Sequence, residues 1–288
     1  MANNRDLNQK ISSLRNMQKV MKAMNMIASI KLRKLMAGLE PLLLFEKNLE
    51  AMTAALLAAL GSSRPPLLRD EGKAGKIHLV LFTADKGLCG AHNTSALKAL
   101  ETFLHEHRDR KAEITCIGRK GALYCRRRGY DVFHETEIGS RALESGDLQE
   151  LSGRLFRRYR EGKIDALYQI GGRFVSTLQQ TVLPRRLLPP ALPKGAPPVK
   201  TVLDTEVEPE PEAFLPGALE VHLGQHLEAA LAHSRLSEEA ARMTAMENAT
   251  DNSADLIDRY RTMQNRARQA SITNEIIEIV SGKEALKG

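Results

Sequence analysis

Two stretches of this chain carry apolar residues at the spacing of one helical face, and they lie at opposite ends of it. Positions 225–281 contain neither Gly nor Pro. Within them Tyr260, Met263, Ala267, Ala270, Asn274 and Ile277 follow at steps of 3, 4, 3, 4 and 3, a mostly apolar seam on one side of a helix. A pattern longer than ~25 residues without an internal stop points to a coiled coil or helical rod. At 1.5 Å per residue such a rod spans roughly 85 Å, well beyond the ~30 Å of a small domain. It needs a partner along its length. Positions 6–37 supply one: Leu7, Ile11, Leu14, Met17, Met21, Met24 and Ala28 are spaced by 4, 3, 3, 4, 3 and 4. Gly38 and Glu40-Pro41 interrupt this second pattern, and Pro41 is expected to kink or restart the helix. Helical composition resumes in LLLFEKNLEAMTAALLAAL and stops at the Gly/Ser/Pro cluster 61–66. The simplest solution winds the two ends together as an antiparallel coiled coil. The alternative, two helices of an ordinary bundle, wants a third long helix that the pattern lacks.

Between these ends the period changes. Positions 77–83 (IHLVLFT), 113–118 (EITCIG), 130–133 and 165–171 (DALYQIG) read as short β-rich runs, with a further β-like stretch at 173–183. Helical segments at 92–108, 120–128 and 140–162 separate them. Strands alternating with helices predict a mainly parallel sheet covered by helices, a Rossmann-like α/β domain. The expected organisation is therefore α+β overall: an N-terminal coiled-coil helix over 1–62, the α/β domain over 70–195, a Pro-rich connector over 196–216 and a C-terminal coiled-coil helix over 217–288. Glu206, Glu208, Glu210 and Glu212 make the connector locally acidic.

Charge sharpens this picture. Positions 1–36 hold eight basic residues against one acid, Asp6, a surplus equal to the +7 of the whole molecule. Such a face is either solvated or meets acidic protein or phosphate. No run of 18 uncharged apolar residues exists, so no membrane span is expected. The first ten residues lack the apolar core of a secretory signal. Three cysteines, Cys89, Cys116 and Cys125, without a CxxC pair, read as reduced thiols.

Candidate chemistry is thin. Positions 85–90 (DKGLCG) follow the first strand and precede a helix, where a βαβ unit places phosphate-binding loops. The loop matches neither GxGxxG nor GxxxxGK[ST]. Cys89 with His92 three residues on could be read as a nucleophile and base, or as a buried Cys in a tight two-glycine turn. The pairs His105/His107 and His222/His226 lack supporting Cys or carboxylate geometry and read as surface polar residues, so no metal site is expected. Arg126 to Arg128, Arg154, Arg157, Arg158 and Arg160 could touch phosphate, but nucleic-acid stacking wants interleaved aromatics, which are only 4% of the chain. Two readings from other classes thus stay open beside a mechanical one. An enzyme using the 85–90 loop would bind a nucleotide or small substrate saturably. A basic coiled-coil scaffold would bind DNA with strong salt dependence.

Longer motifs now carry a resemblance. Lys10-Ile11-Ser12-Ser13 with NMQKVMKAMNMIA at 16–28 resembles the N-terminal helix of the F-type ATP synthase gamma subunit family. AARMTAMENATDN at 240–252 and NRARQASITNEIIEIVSG at 265–282 resemble its C-terminal helix, and the 85–90 loop is similar to the turn after that family's first strand. The resemblance covers nearly the whole chain in order. It implies a non-catalytic rotor shaft without cofactor or metal, whose terminal helices coil inside a ring of three alpha and three beta subunits. The α/β domain would sit against the epsilon subunit and the membrane-embedded c-ring. Carried over by position, Lys19, Lys22, Met24, Arg266, Arg268, Gln269, Thr273, Glu275 and Glu278 would meet the alpha3-beta3 ring, with Arg242 at its lower opening. Thr205 and Glu208 would lie near the c-ring and epsilon. The implied place is the cytoplasmic face of a bacterial inner membrane, held there only through the complex and without nucleic acid. Met17 and Met21 stand where many relatives carry Thr, and 205–207 lacks the aromatics of the usual c-ring contact.

Overall fold

Helix α1 runs unbroken from Asn4 to Ala59, and helix α5 from Pro211 to Ala285. The computed structural model describes residues 4–60, 65–69, 75–138, 145–190 and 210–285. Helix α1 continues through Pro41, so of the expected kink or restart the restart does not occur. The Pro41 side chain is exposed, while Leu32 before it and Leu49 after it are buried, so packing on both sides outweighs the lost backbone bond. The last helix likewise starts earlier than its Gly- and Pro-free stretch, within the expected connector, and passes through Pro216. Leu215, Leu219, Leu223 and Leu227 are all buried around that proline. The remainder of the connector, including Thr205 and Glu208, lies outside the described residues.

The chain divides into two compact units. The first joins α1 as far as Ser29 to α5 from Arg242 onward. Its helices run antiparallel. The Nε2 of Gln264 donates to Asn8 at 2.6 Å, Lys10 lies 5.8 Å from the centre of the Tyr260 ring, and Gln18 and Asn25 donate to the main-chain oxygens of Thr250 and Met243. The inward positions of α1 are Leu7, Ile11, Leu14, Gln18, Met21, Asn25 and Ala28; those of α5 are Met246, Thr250, Ser253, Ile257, Tyr260, Gln264 and Ala267. Both sets alternate steps of 4 and 3, the 3.5-residue repeat of a left-handed coiled coil. Three seam assignments from the sequence therefore move by one residue, Asn25 standing where Met24 was expected, and the expected seam positions Ala270, Asn274 and Ile277 are exposed. Met17 is 52% exposed and Gln18 takes its place; Met263 is 50% exposed and Gln264 takes its place. Burying Leu7, Ile11 and Ile257 contributes roughly 1.5–3 kcal/mol each.

The second unit, residues 30–241, holds the sheet. Its strands are β1 (Ile77–Phe82), β2 (Ala112–Ile117), β3 (Asp131–Thr136), β4 (Ala166–Ile170) and β7 (Arg185–Leu188), in the order β3-β2-β1-β4-β7. All neighbours are parallel except β7, which pairs antiparallel with β4. Strands β5 (Gly172–Phe174) and β6 (Gln180–Val182) form a separate hairpin. The mainly parallel sheet expected from the alternating pattern is present. The edge strand β7 went unread because Pro184 and Pro189 flank it, a placement that only an edge tolerates. Side chains alternate across β1. Ile77, Leu79 and Leu81 face a cluster with α2 (His92–Glu106) and α3 (Arg119–Arg128). Val80 and Phe82 face the opposite cluster, built with α4 (Ser145–Arg160), Leu56 and Leu57 of α1 with Leu60 just after it, and Leu215, Leu219, Leu223, Leu227 and Leu231 of α5.

In this unit α1 and α5 also meet through a polar cluster. His226 is buried, with Nδ1 2.7 Å from Glu46; its Nε2 lies 2.6 Å from that of His222, whose Nδ1 is 2.9 Å from the Thr53 hydroxyl. Burial, with His226 adding to it, lowers the His222 pKa to about 4. Arg185 on β7 pairs with both Glu46 and Glu50. The sequence reading of His222 and His226 as surface residues is thus corrected: their partners come from the other end of the chain.

Candidate functional site

The expected site residues on the first unit do not converge on a pocket; they lie along the outside of the helix pair. Arg15, Lys19, Lys22 and Met26 follow at steps of 4, 3 and 4 and are all exposed, a cationic stripe ending in an apolar residue. Beside it Met17, Val20 and Ile27 are more than half exposed. Met24 is half-buried at the edge of the seam. Arg242 is buried rather than outward-facing, at 9% exposure.

From Arg268 to Lys283 every residue of α5 is exposed. Arg268, Gln269, Thr273, Glu275 and Glu278 lie on this part of the helix, and Arg266 just before it; all are exposed. Thr273 bonds its own helix at the Gln269 carbonyl, and Glu275 accepts from Ser271. Ile272, Ile276, Ile277, Ile279 and Val280 are 48–71% exposed. Scattered exposed apolar residues are ordinary, but a run of them on one helix end marks an interaction surface. The sequence pattern placed Ile277 on the seam; here it stands exposed with the apolar residues around it.

The 85–90 loop sits at the carboxyl end of β1, where an open α/β sheet receives ligands. Here it is bonded inward. Asp85 accepts from the main-chain N–H of Arg119, Asn93 accepts from that of Ala84, and the amide of Asn93 donates to Cys89 Sγ at 3.2 Å. Cys89 is buried, in line with the tight-turn reading. The His92 ring packs on Gly172, where an added Cβ would approach its Cε1 to 3.2 Å. Ser237 of α5 closes on the same glycine, 2.8 Å from that Cβ position. The last helix thus packs closely on the start of β5, just after β4. Cys116 and Cys125 are buried together, and hydrogen bonding between them with burial pushes the Cys116 thiol up, away from nucleophilic reactivity.

An arrangement of this kind can recognise and press on other proteins; it holds no set of converging catalytic groups at the positions named. Among the described residues no helix is long and apolar enough to cross a membrane. A family model described as ATP synthase matches residues 3–286. The ATP synthase gamma chain of Moorella thermoacetica is 40% identical over 290 residues, covering 100% of both chains. That of Solibacter usitatus is 37% identical over 284 residues, covering 97% of this chain and 98% of the other. In fold, the chain is similar to the rotor of the Euglena gracilis mitochondrial ATP synthase, with a TM-score of 0.64 at 16% identity over 93% of this chain and 98% of that one. It is similar also to the central stalk and c-ring structure from Tetrahymena thermophila, with a TM-score of 0.57 at 22% identity over 80% of this chain and 99% of that one. The paired terminal helices, the mainly parallel sheet and the full-length relatives converge: the chain belongs to the ATP synthase gamma chain family.

Proposed function

We propose that this chain is the rotating central-stalk subunit of an F-type ATP synthase and performs no bond chemistry of its own. Its terminal helices turn within a ring of three alpha and three beta subunits. Ion flow through the membrane c-ring drives that rotation, and the chain couples it to ATP synthesis or hydrolysis in the ring. Thr205, Glu208 and the α/β unit face the c-ring and the epsilon subunit. The assembly lies at the cytoplasmic face of a bacterial inner membrane, which the chain meets only through its partners.

One observation carries this reading: the helix pair is sealed along its seam while its outside and its last helical turns stay uncovered. Torque needs stiffness, and the two helices brace each other along their shared seam. Pairing must also be asymmetric, because a partner shifts an equilibrium only through different contacts with its different states. The stripe with Lys19 and Lys22 and the apolar run on α5 give each beta subunit a different face in turn. Exposed cations hold acidic loops only loosely, since such contacts are screened by salt over about 8–10 Å, and this lets the shaft slip onward.

The test is purification of the tagged full chain from its own cell, followed by ATP-driven pumping in membrane vesicles. Alpha, beta and epsilon subunits are expected with it, and the double variant K19E/K22E is expected to hydrolyse ATP with weakened pumping. Recovery of the chain without alpha and beta subunits would overturn the assignment. Unimpaired pumping in the double variant would remove Lys19 and Lys22 from the ring contact.

A further inference from the structure

We propose that His222, His226 and Glu50 form a binding site for a borderline divalent cation such as Zn2+, clamping α1 to α5. Glu46, Glu50 and Thr53 follow at steps of 4 and 3 on one face of α1; His222 and His226 are four apart on α5. Each ring is held by its Nδ1. His226 is oriented by Glu46 at 2.7 Å, and His222 by the Thr53 hydroxyl at 2.9 Å. Both Nε2 atoms are thereby turned into the same space, 2.6 Å apart, with a Glu50 carboxylate oxygen 3.8 Å from that of His226. Ligand atoms of Glu46, Glu50 and His226 all lie within 4.8 Å of one another. An imidazole oriented through one nitrogen by a carboxylate, and presenting the other nitrogen, is the arrangement that tunes metal-binding histidines.

The donor set decides the cation. Two imidazole nitrogens and one carboxylate suit Zn2+, and Mg2+ or Ca2+ would want oxygen alone. With Zn–N bonds of ~2.0–2.1 Å, two nitrogens on a tetrahedral ion stand about 3.3 Å apart. The rings need open by less than ~1 Å to reach that spacing. A cavity of about 220 Å³ lined by Glu50, Thr53, Arg185, His222 and His226 leaves room for this and for a water as fourth ligand. Arg185 is the competitor, because its guanidinium pairs with Glu50 and, at 3.2 Å, with Glu46. The cation takes Glu50 from Arg185 and leaves Arg185 on Glu46. No short motif announces the site, because its halves stand about 170 residues apart in the sequence, His222 and Thr53 being 169 positions apart. The inference does not depend on the rotor reading.

The experiment is calorimetric titration of the purified full chain with Zn2+ alone in metal-free buffer near neutral pH, with Co2+ absorption as a second readout. One equivalent is expected. His222→Gln and His226→Gln should each weaken it at least tenfold, and Glu46→Gln by about ten- to a hundredfold, the usual cost of losing an orienting partner. Arg185→Gln should tighten binding by freeing Glu50, a gain that misfolding cannot mimic. The control His105→Gln/His107→Gln should bind as the parent does. Absence of Zn2+ binding by the parent chain would overturn the site, as would binding undiminished in both His222→Gln and His226→Gln.

Discussion

The side-chain amide of Asn25 donates to the main-chain oxygen of Met243 at 2.9 Å, and seven residues earlier Gln18 does the same to Thr250 at 3.3 Å. One heptad therefore separates two polar rungs of the seam. Polar groups at such positions select a register more than they add stability. Replacing either by Ala removes one hydrogen bond worth about 1 kcal/mol. The double variant Q18A/N25A should lose roughly 2 kcal/mol by thermal unfolding. A cysteine pair placed at Asn8 and Gln264, which touch in the native register, should cross-link more slowly in the double variant than in the parent.

Ala28 and Ile27 are neighbours with opposite expectations. Ala28 is fully buried in the seam and Ile27 is 54% exposed. Ala28→Leu overfills a closed contact and should cost about 1–3 kcal/mol. Ile27→Ala should change stability by no more than about 0.5 kcal/mol, yet weaken assembly with the ring subunits. Chemical denaturation of the free chain alongside reconstitution of the complex separates the two outcomes.

Glycine at 118 is demanded twice over. Its φ is +108°, and an added Cβ would fall 2.0 Å from the carbonyl oxygen of Thr83. At Gly129 the φ is +74° and nothing lies within 4 Å of the same position. Gly118→Ala should cost more than 3 kcal/mol, combining backbone strain with a backbone clash. Gly129→Ala should cost about 1–2 kcal/mol from its left-handed conformation alone. Urea midpoints of the two variants should differ accordingly.

Acid should weaken the sheet unit through His78. The ring is fully buried and its Nε2 lies 2.9 Å from the Thr115 hydroxyl. Burial lowers its pKa below the ordinary 6.5 and Arg158 lowers it further, while Glu113 and Asp131 oppose. The unfolded chain then takes up a proton that the folded chain refuses. Stability therefore falls as pH drops below 6.5, and this residue contributes no slope well above that value. One such proton gives at most about 1.4 kcal/mol per pH unit. Urea midpoints between pH 7.5 and 5.5 should fall less in His78→Gln than in the parent.

The existence, type and order of the long helices and parallel strands were legible because they rest on repeated local patterns. As far as Ala267 the seam was legible to within one residue; beyond it the expected seam positions Ala270, Asn274 and Ile277 are exposed. At 17/18 and 263/264 a methionine stands beside a glutamine, and hydrophobicity favours the methionine. The 3.5-residue geometry places the glutamine inward, and its amide finds a partner there. Pro41 and Pro216 misled for a related reason: local breakers count in isolation, whereas buried leucines on either side hold both helices. The family motifs on the helix exteriors were readable as strings of residues. The His222/His226 cluster was not, because its partners Glu46 and Thr53 come close only in the folded chain.

Asn8 and Gln264 touch across 256 positions of sequence. At synthesis rates of about 5–20 residues per second, roughly 13–50 s pass between the emergence of one and the arrival of the other. Throughout that interval Leu7 and Ile11 have no mate from α5, so a segment made before the sheet unit is sheltered after it. A chain cut short before Met246 never closes this gap, which leaves Leu7 and Ile11 a standing target for chaperones and proteases.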